Sequence, residues 1–172
     1  MAKQVPVYLF TGFLESGKTK FAQQTLEDAS FNNGDRILLL VCEEGVEEYN
    51  PSAFAAPTVF TETIESESDL TTENLAALLK KHRCSYVMVE YNGMWSMEKL
   101  YREGLPANWI LYQIMCLVDA TTFEPYLRNM GQLMMEKILN ADMIIFNRCN
   151  EELRKALRGR NLRMVNRRAD IY

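Results

Sequence analysis

Eight consecutive residues, Gly12-Phe13-Leu14-Glu15-Ser16-Gly17-Lys18-Thr19, carry the chemistry most readily read from this chain. They fit the pattern G-x-x-x-x-G-K-T, whose physical use is to hold phosphate. Its glycines let the backbone turn so that successive N–H groups point inward. The lysine then reaches the β and γ oxygens, and the threonine hydroxyl offers a ligand to magnesium. A chance match needs no particular surroundings. Here the loop follows an apolar run, Val5 to Thr11, and opens a helical stretch, Lys18 to Asp28, as the motif requires. Glu15 sets a carboxylate near polyphosphate, which costs affinity unless its side chain turns outward to a cation.

The elements that must position this loop follow from hydrophobic patterning. Ile37 to Cys42 runs apolar without alternation, as a strand buried on both faces does, and Ser85 to Glu90, Ile110 to Asp119 and Met143 to Phe146 repeat it. Leu162 to Val165 is a shorter strand candidate. Helical periodicity covers Thr72 to His82, Ser96 to Glu103, Thr122 to Leu139 and Glu151 to Arg158. Alternating β and α predicts a mostly parallel sheet with helices on both faces, the three-layer α/β architecture of P-loop NTPases. Pro51 to Ser68 reads as a mobile loop region with one possible strand, Thr58 to Ile64.

Composition bounds the function. The 172 residues suit one domain, with 48% hydrophobic and 24% charged residues, an ordinary globular balance. No apolar run approaches the roughly 20 residues of a membrane helix, and no cleavage pattern follows the N-terminal apolar stretch, so a cytoplasmic protein without membrane partners is expected. Residues 1–150 carry 12 Lys and Arg against 20 Asp and Glu, whereas residues 151–172 carry seven against three. An acidic body with a basic end disfavours nucleic acid as the partner. Cys42, Cys84, Cys116 and Cys149 lie far apart with a single histidine, His82, which predicts free thiols rather than disulfides or structural zinc. Met94, Met97, Met115, Met130, Met134 and Met135 read as core packing, and Trp95 and Trp109 as packing or partner-contact residues.

Beyond the loop, three further segments stand in order: Cys42-Glu43-Glu44-Gly45-Val46 after the second strand, Glu90-Tyr91-Asn92-Gly93 at the end of a buried strand, and Asn147-Arg148-Cys149-Asn150 after another. With Tyr8 to Thr19, they resemble the CobW-like group of P-loop GTPases, relatives of the urease and hydrogenase nickel-insertion GTPases. The likeness runs from Val5 to about Ala169. Val118-Asp119-Ala120 is similar to a further strand end of that group, and Val165-Asn166-Arg167-Arg168-Ala169 to its Asn-Pro-x-Ala turn past the last strand, with Arg167 in place of proline.

The resemblance implies GTP and Mg²⁺ as ligands, slow hydrolysis, and a nucleotide state coupled to a protein partner in metal homeostasis or metallocofactor assembly. It assigns phosphate binding to Gly12, Glu15, Ser16, Gly17, Lys18 and Thr19, with Lys18, Thr19 and Glu90 serving catalysis. Magnesium falls to Thr19 and Glu90, with Glu43 in the same or a second metal environment. Gly93 would give its N–H to the γ-phosphate. Asn147, Arg148 and Asn150 stand where the guanine-reading Asn-Lys-x-Asp belongs. Asn150 offers one acceptor and one donor where aspartate offers two acceptors, so guanine, xanthine and adenine all stay open. The group's Cys-x-Cys-Cys metal motif is missing, since residues 44–83 contain no cysteine. That leaves at most a weaker site among Cys42, Glu43, Glu44 and His82. The group continues into a smaller C-terminal domain, so residues 1–172 are expected to be its nucleotide-binding domain. A P-loop ATPase or kinase and a non-hydrolysing nucleotide-binding scaffold are the alternative readings.

Overall fold

The computed structural model describes residues 3–32, 34–55 and 57–172. Seven strands form one sheet: β1 (Val5–Thr11), β2 (Ile37–Val41), β3 (Val59–Thr63), β4 (Tyr86–Glu90), β5 (Trp109–Asp119), β6 (Met143–Asn147) and β7 (Asp170–Ile171). Their order is β3-β2-β4-β1-β5-β6-β7, and every neighbouring pair is parallel. The helices are α1 (Lys18–Glu27), α2 (Thr72–His82), α3 (Met97–Lys99, continued by a wider turn over Leu100–Gly104), α4 (Phe123–Asn129), α5 (Gly131–Asn140), α6 (Glu151–Gly159) and α7 (Leu162–Val165).

Strand period two divides the central residues between two cores. Val7, Leu9, Leu38, Leu40, Val87 and Val89 face one side, where they pack with Leu75 of α2 and Met97 of α3. Phe10, Ile37, Leu39, Tyr86 and Met88 face the other, against Ala22 and Leu26 of α1. Because both faces are covered, the strands read as unbroken apolar runs. A third cluster joins Cys116, Val118 and Ile144 to Phe123, Met134 and Ile138 of α4 and α5. Register sets Phe10, Val41 and Glu90 abreast at the carboxyl ends of β1, β2 and β4, and Asp119 beside Asn147 on β5 and β6. That edge, where the central strand β1 hands over to a helix, is where an open α/β sheet gathers ligands.

Several expectations change. Leu162 to Val165 is a helical turn, because Asn161 enters the left-handed region (φ 50) and starts a turn that tucks Leu162 into the core. The seventh strand is Asp170–Ile171, so the turn Val165 to Ala169 precedes the last strand rather than following it. Its Asn166 is buried. The amide donates to the carbonyls of Ile138 (2.7 Å) and Ala141 (2.8 Å), and the oxygen accepts from the N–H groups of Arg168 and Ala169. The stretch Thr122 to Leu139 is two helices. Met130, just ahead of Gly131, leaves the helical region (φ −136, ψ 45) and divides α4 from α5. Within Pro51 to Ser68 the possible strand Thr58 to Ile64 is present as β3, an edge strand between two short 3₁₀ turns, and Ile64 is buried. Met94 is exposed and packs no core, whereas Met97, Met115 and Met134 do. Trp109 is buried, and Trp95 meets Tyr91 edge-on.

Candidate nucleotide-binding site

The loop between β1 and α1 is shaped by close backbone approaches. Gly12 has φ 138, and a Cβ there would meet the Leu117 carbonyl oxygen at 2.3 Å. Gly93 lies against the loop so tightly that its Cβ would fall 2.5 Å from the Gly12 oxygen and 2.9 Å from the Phe13 Cα. Residue types at these two points are therefore fixed by backbone on backbone. Helix α1 begins after Gly17 with no side-chain cap and no acidic residue in its first turn. Its uncapped N–H groups and positive dipole end suit an anion. The Ser16 N–H is spent inside the loop, on the Phe13 carbonyl at 3.1 Å.

Lys18 is 3% exposed and crosses the loop. Its ammonium donates to the Gly12 carbonyl (2.7 Å), the Tyr91 carbonyl (3.1 Å) and the Glu43 carboxylate. All three hydrogens are thus used. The other oxygen of Glu43 accepts the Gly93 N–H at 3.3 Å. Beside this pair, Thr19 donates its hydroxyl to Glu90 Oε1 at 2.6 Å, and Tyr49 donates to Glu90 Oε2 at 2.6 Å. Burial pushes the Glu90 carboxyl above the usual carboxylate range, and the Thr19 and Tyr49 bonds and the Lys18 charge pull back against it. Burial likewise raises the Tyr49 hydroxyl, so it is a donor at any working pH.

Glu15 sits at φ 62 and is exposed. Its oxygen accepts the Val46 N–H at 3.0 Å, so a backbone amide takes the place expected for a cation. Asn147 donates its amide to the Ser16 carbonyl. Arg148 donates to the Glu15 carbonyl at 3.0 Å and to Asp119 Oδ2 at 2.6 Å. Asn147 and Arg148 thus clamp the loop from the β6 side. Asn150 points its oxygen elsewhere, accepting the Leu153 N–H at 2.8 Å as the N-cap of α6.

The structure therefore brings Gly12, Lys18, Thr19, Glu43, Glu90 and Gly93 together, ties Asn147 and Arg148 to the loop, and engages Asn150 in a helix cap. Glu43 is held by Lys18 and Gly93 rather than by the Thr19–Glu90 pair. Two participants went unread in the sequence. Tyr49 is the only aromatic residue between Glu43 and Ala53, a signal too weak to aim it at Glu90. Asp119 was visible as a strand end, with no sign that Arg148 is its partner. The weaker site left open among Cys42, Glu43, Glu44 and His82 does not form: His82 pairs with Glu62 and stacks on Phe60, and burial pushes the Cys42 thiol up to about 12. Among the described residues no three His, Cys, Asp or Glu side chains gather to hold a metal ion.

The residues nevertheless fit a metal–polyphosphate pair. Lys18, the start of α1 and the buried Ser16 hydroxyl, which has no partner, form a donor set for anionic oxygens. Thr19 and Glu90 form an all-oxygen set for a hard cation. The cavity among Glu15, Lys18, Thr19, Glu43, Glu90 and Arg148 measures about 40 Å³. A phosphate chain entering it must displace side chains. A cleft of about 520 Å³ lies away from this chemistry, at the β6–β7 edge, among Arg154, Arg158, Arg163 and Tyr172.

No protein-family model matches the chain, and no curated protein matches it by sequence. Solved structures do share its fold, that of P-loop NTPases. The Zn(II)-bound YjiA GTPase from E. coli superimposes with a TM-score of 0.68 at 22% identity, over 99% of this chain and 57% of that one. The hydrogenase maturation factor HypB from Archaeoglobus fulgidus gives 0.64 at 19% identity, over 98% and 79%. A LAO/AO transport system kinase gives 0.53 at 15%. The chain thus shares the P-loop NTPase fold of these structures and spans little more than half the length of YjiA. Among the described residues no helix is long and apolar enough to cross a membrane.

Proposed function

We propose that this chain binds a nucleoside triphosphate, GTP foremost, together with Mg²⁺, and hydrolyses it slowly to switch a protein partner. One observation carries the reading: Lys18, Thr19, Glu90 and Gly93, up to 75 positions apart in sequence, converge on the carboxyl edge of the sheet around an uncapped helix start. Lys18 would hold the outer phosphate oxygens and the α1 amides the inner ones. Gly93, pressed against the loop, would give its N–H to the terminal phosphate. Thr19 and Glu90 would hold the magnesium, which when bound neutralises charge on the phosphates. These residues act by position and electrostatics alone, which is consistent with low turnover.

A role in metal handling rests on resemblance. YjiA is Zn(II)-bound, and HypB is a hydrogenase maturation factor. Without the Cys-x-Cys-Cys motif, this chain would serve such a pathway through its nucleotide state rather than by thiolate delivery. The helix cap made by Asn150 favours a second reading on one point, a relaxed base preference that admits XTP or ATP.

The test is calorimetric binding of GTP, ATP and XTP with Mg²⁺ to the chain and to Lys18→Ala, followed by phosphate release. Binding of at least one triphosphate, weakened about a hundredfold or more by Lys18→Ala, is expected from the loss of charge-assisted contacts to two phosphates. Equal affinity in the variant would refute the assignment.

A further inference from the structure

Resting on the triphosphate reading, we propose that Glu43 is a specificity-determining residue. Its carboxylate occupies the two donors that a terminal phosphate needs, and so sets how far the site prefers a triphosphate to a diphosphate.

The donors come from separate parts of the fold. Lys18 opens α1, and Gly93 follows β4, yet both meet one carboxylate, Lys18 at Oε2 and Gly93 at Oε1. An anion with two oxygens shared between an ammonium and a backbone amide is what the outer edge of a γ-phosphate would present to the same pair. The two anions cannot share these hydrogens. Lys18 has spent its other two on the Gly12 and Tyr91 carbonyls, and Gly93 has only one.

Burial makes the competition costly to abandon. The Lys18 and Glu43 side chains are 2% and 10% exposed, so withdrawing the carboxylate leaves a desolvated ammonium unless another anion replaces it. A triphosphate supplies that replacement. A diphosphate takes only the Lys18 hydrogen from Glu43 and can leave that carboxylate on Gly93. Glu43 therefore penalises the longer ligand more.

The displaced carboxylate has somewhere to go. Glu43 also forms a wall of a cleft of about 530 Å³, with Cys42, Glu44, Ile64, Asn92 and Trp95. Its own segment is held at two further points, Val46 on Glu15 and Tyr49 on Glu90. Withdrawal of Glu43 thus loads the tether at Glu90, the carboxylate assigned to magnesium. Tyr49 is a positioning residue in this scheme: it keeps residues 43–49 near the site without touching phosphate.

The test compares the whole chain with Glu43→Ala and Glu43→Gln, using calorimetry with GTP and GDP in Mg²⁺ and amide hydrogen exchange at Gly93 without nucleotide. Glu43→Ala should tighten GTP by about tenfold or more, the scale of one charge-assisted hydrogen bond, and GDP by no more than about threefold. Glu43→Gln keeps the shape, guards against a folding defect in the alanine variant, and should fall between. Exchange at Gly93 should quicken in Glu43→Ala, a readout independent of any nucleotide. Equal tightening of both nucleotides, weaker GTP binding in both variants, or unchanged exchange at Gly93 would overturn the proposal while leaving nucleotide binding intact. If neither the parent chain nor either variant bound any triphosphate at millimolar concentration, the nucleotide reading itself would fall, and this proposal with it.

Discussion

The proposed phosphate end of the site and its proposed base-reading end are built differently. Around β1 and β4, polar atoms from distant elements converge: Lys18 on Glu43 and Tyr91, Thr19 and Tyr49 on Glu90, Gly93 against the Gly12 backbone. Around β5 and β6 the side chains serve the fold instead. Asn150 caps α6, and the half-exposed Arg148 pairs with Asp119. Phosphate would be held largely by backbone geometry and one lysine, so few positions must be kept. A base would be read by side-chain hydrogen bonds, and here the Asn150 oxygen is engaged in a helix cap.

The sharpest way to break this contrast is Gly93→Ala. Its Cβ would press on backbone atoms at 2.5 and 2.9 Å that cannot rotate away. We expect stability to fall by about 1–3 kcal/mol in denaturant titration and triphosphate affinity to drop about a hundredfold, because the loop must shift. Parent-like binding would show that the phosphate end does not depend on close packing. Next in size, Glu90→Gln should remove most of the gain in affinity that Mg²⁺ confers, about tenfold or more, and leave metal-free binding little changed. Titrating nucleotide with and without Mg²⁺ separates the two.

At the other end, Asn150→Asp restores two acceptors while keeping the cap, since aspartate caps as well as asparagine. A GTP over XTP preference raised by about tenfold is expected, with unchanged melting; no change in preference would place base recognition elsewhere. The smallest effect belongs to Glu62, at the β3–α2 edge and remote from both ends. Lys81 first, then His82, hold its carboxyl below the usual range. Its contribution is therefore present above the ordinary glutamate value and is lost as pH falls through the lowered one. Glu62→Gln should cost at most about 1 kcal/mol at neutral pH, flatten that acid limb, and leave nucleotide binding alone.

Much of this was legible in the chain. The strand Val5–Thr11 has its expected bounds, α1 starts at Lys18 as the motif demands, and β2, β4, β5 and β6 shift by no more than one residue at either end. Apolar runs buried on both faces leave a local signal that needs no knowledge of neighbours. Leu162 to Val165 failed because four apolar-rich residues fit a strand or a helical turn equally, and the left-handed Asn161 decided it. Thr122 to Leu139 failed because its apolar period continues through Met130 and Gly131, where the backbone does not.

Sequence by itself determined the phosphate-loop motif and the parallel α/β frame, because a glycine loop, a lysine and a repeating apolar period act over a few neighbouring residues. Only the tertiary structure decided which carboxylate faces which donor. The acidic stretch after β2 offers Glu43, Glu44, Glu47 and Glu48, alike in composition, and the fold sends Glu43 to Lys18 and Gly93. It also aims Tyr49 at Glu90 and Arg148 at Asp119. Those pairings depend on which strand ends lie abreast and on distances of a few ångströms between elements far apart in the chain, and no local pattern records them.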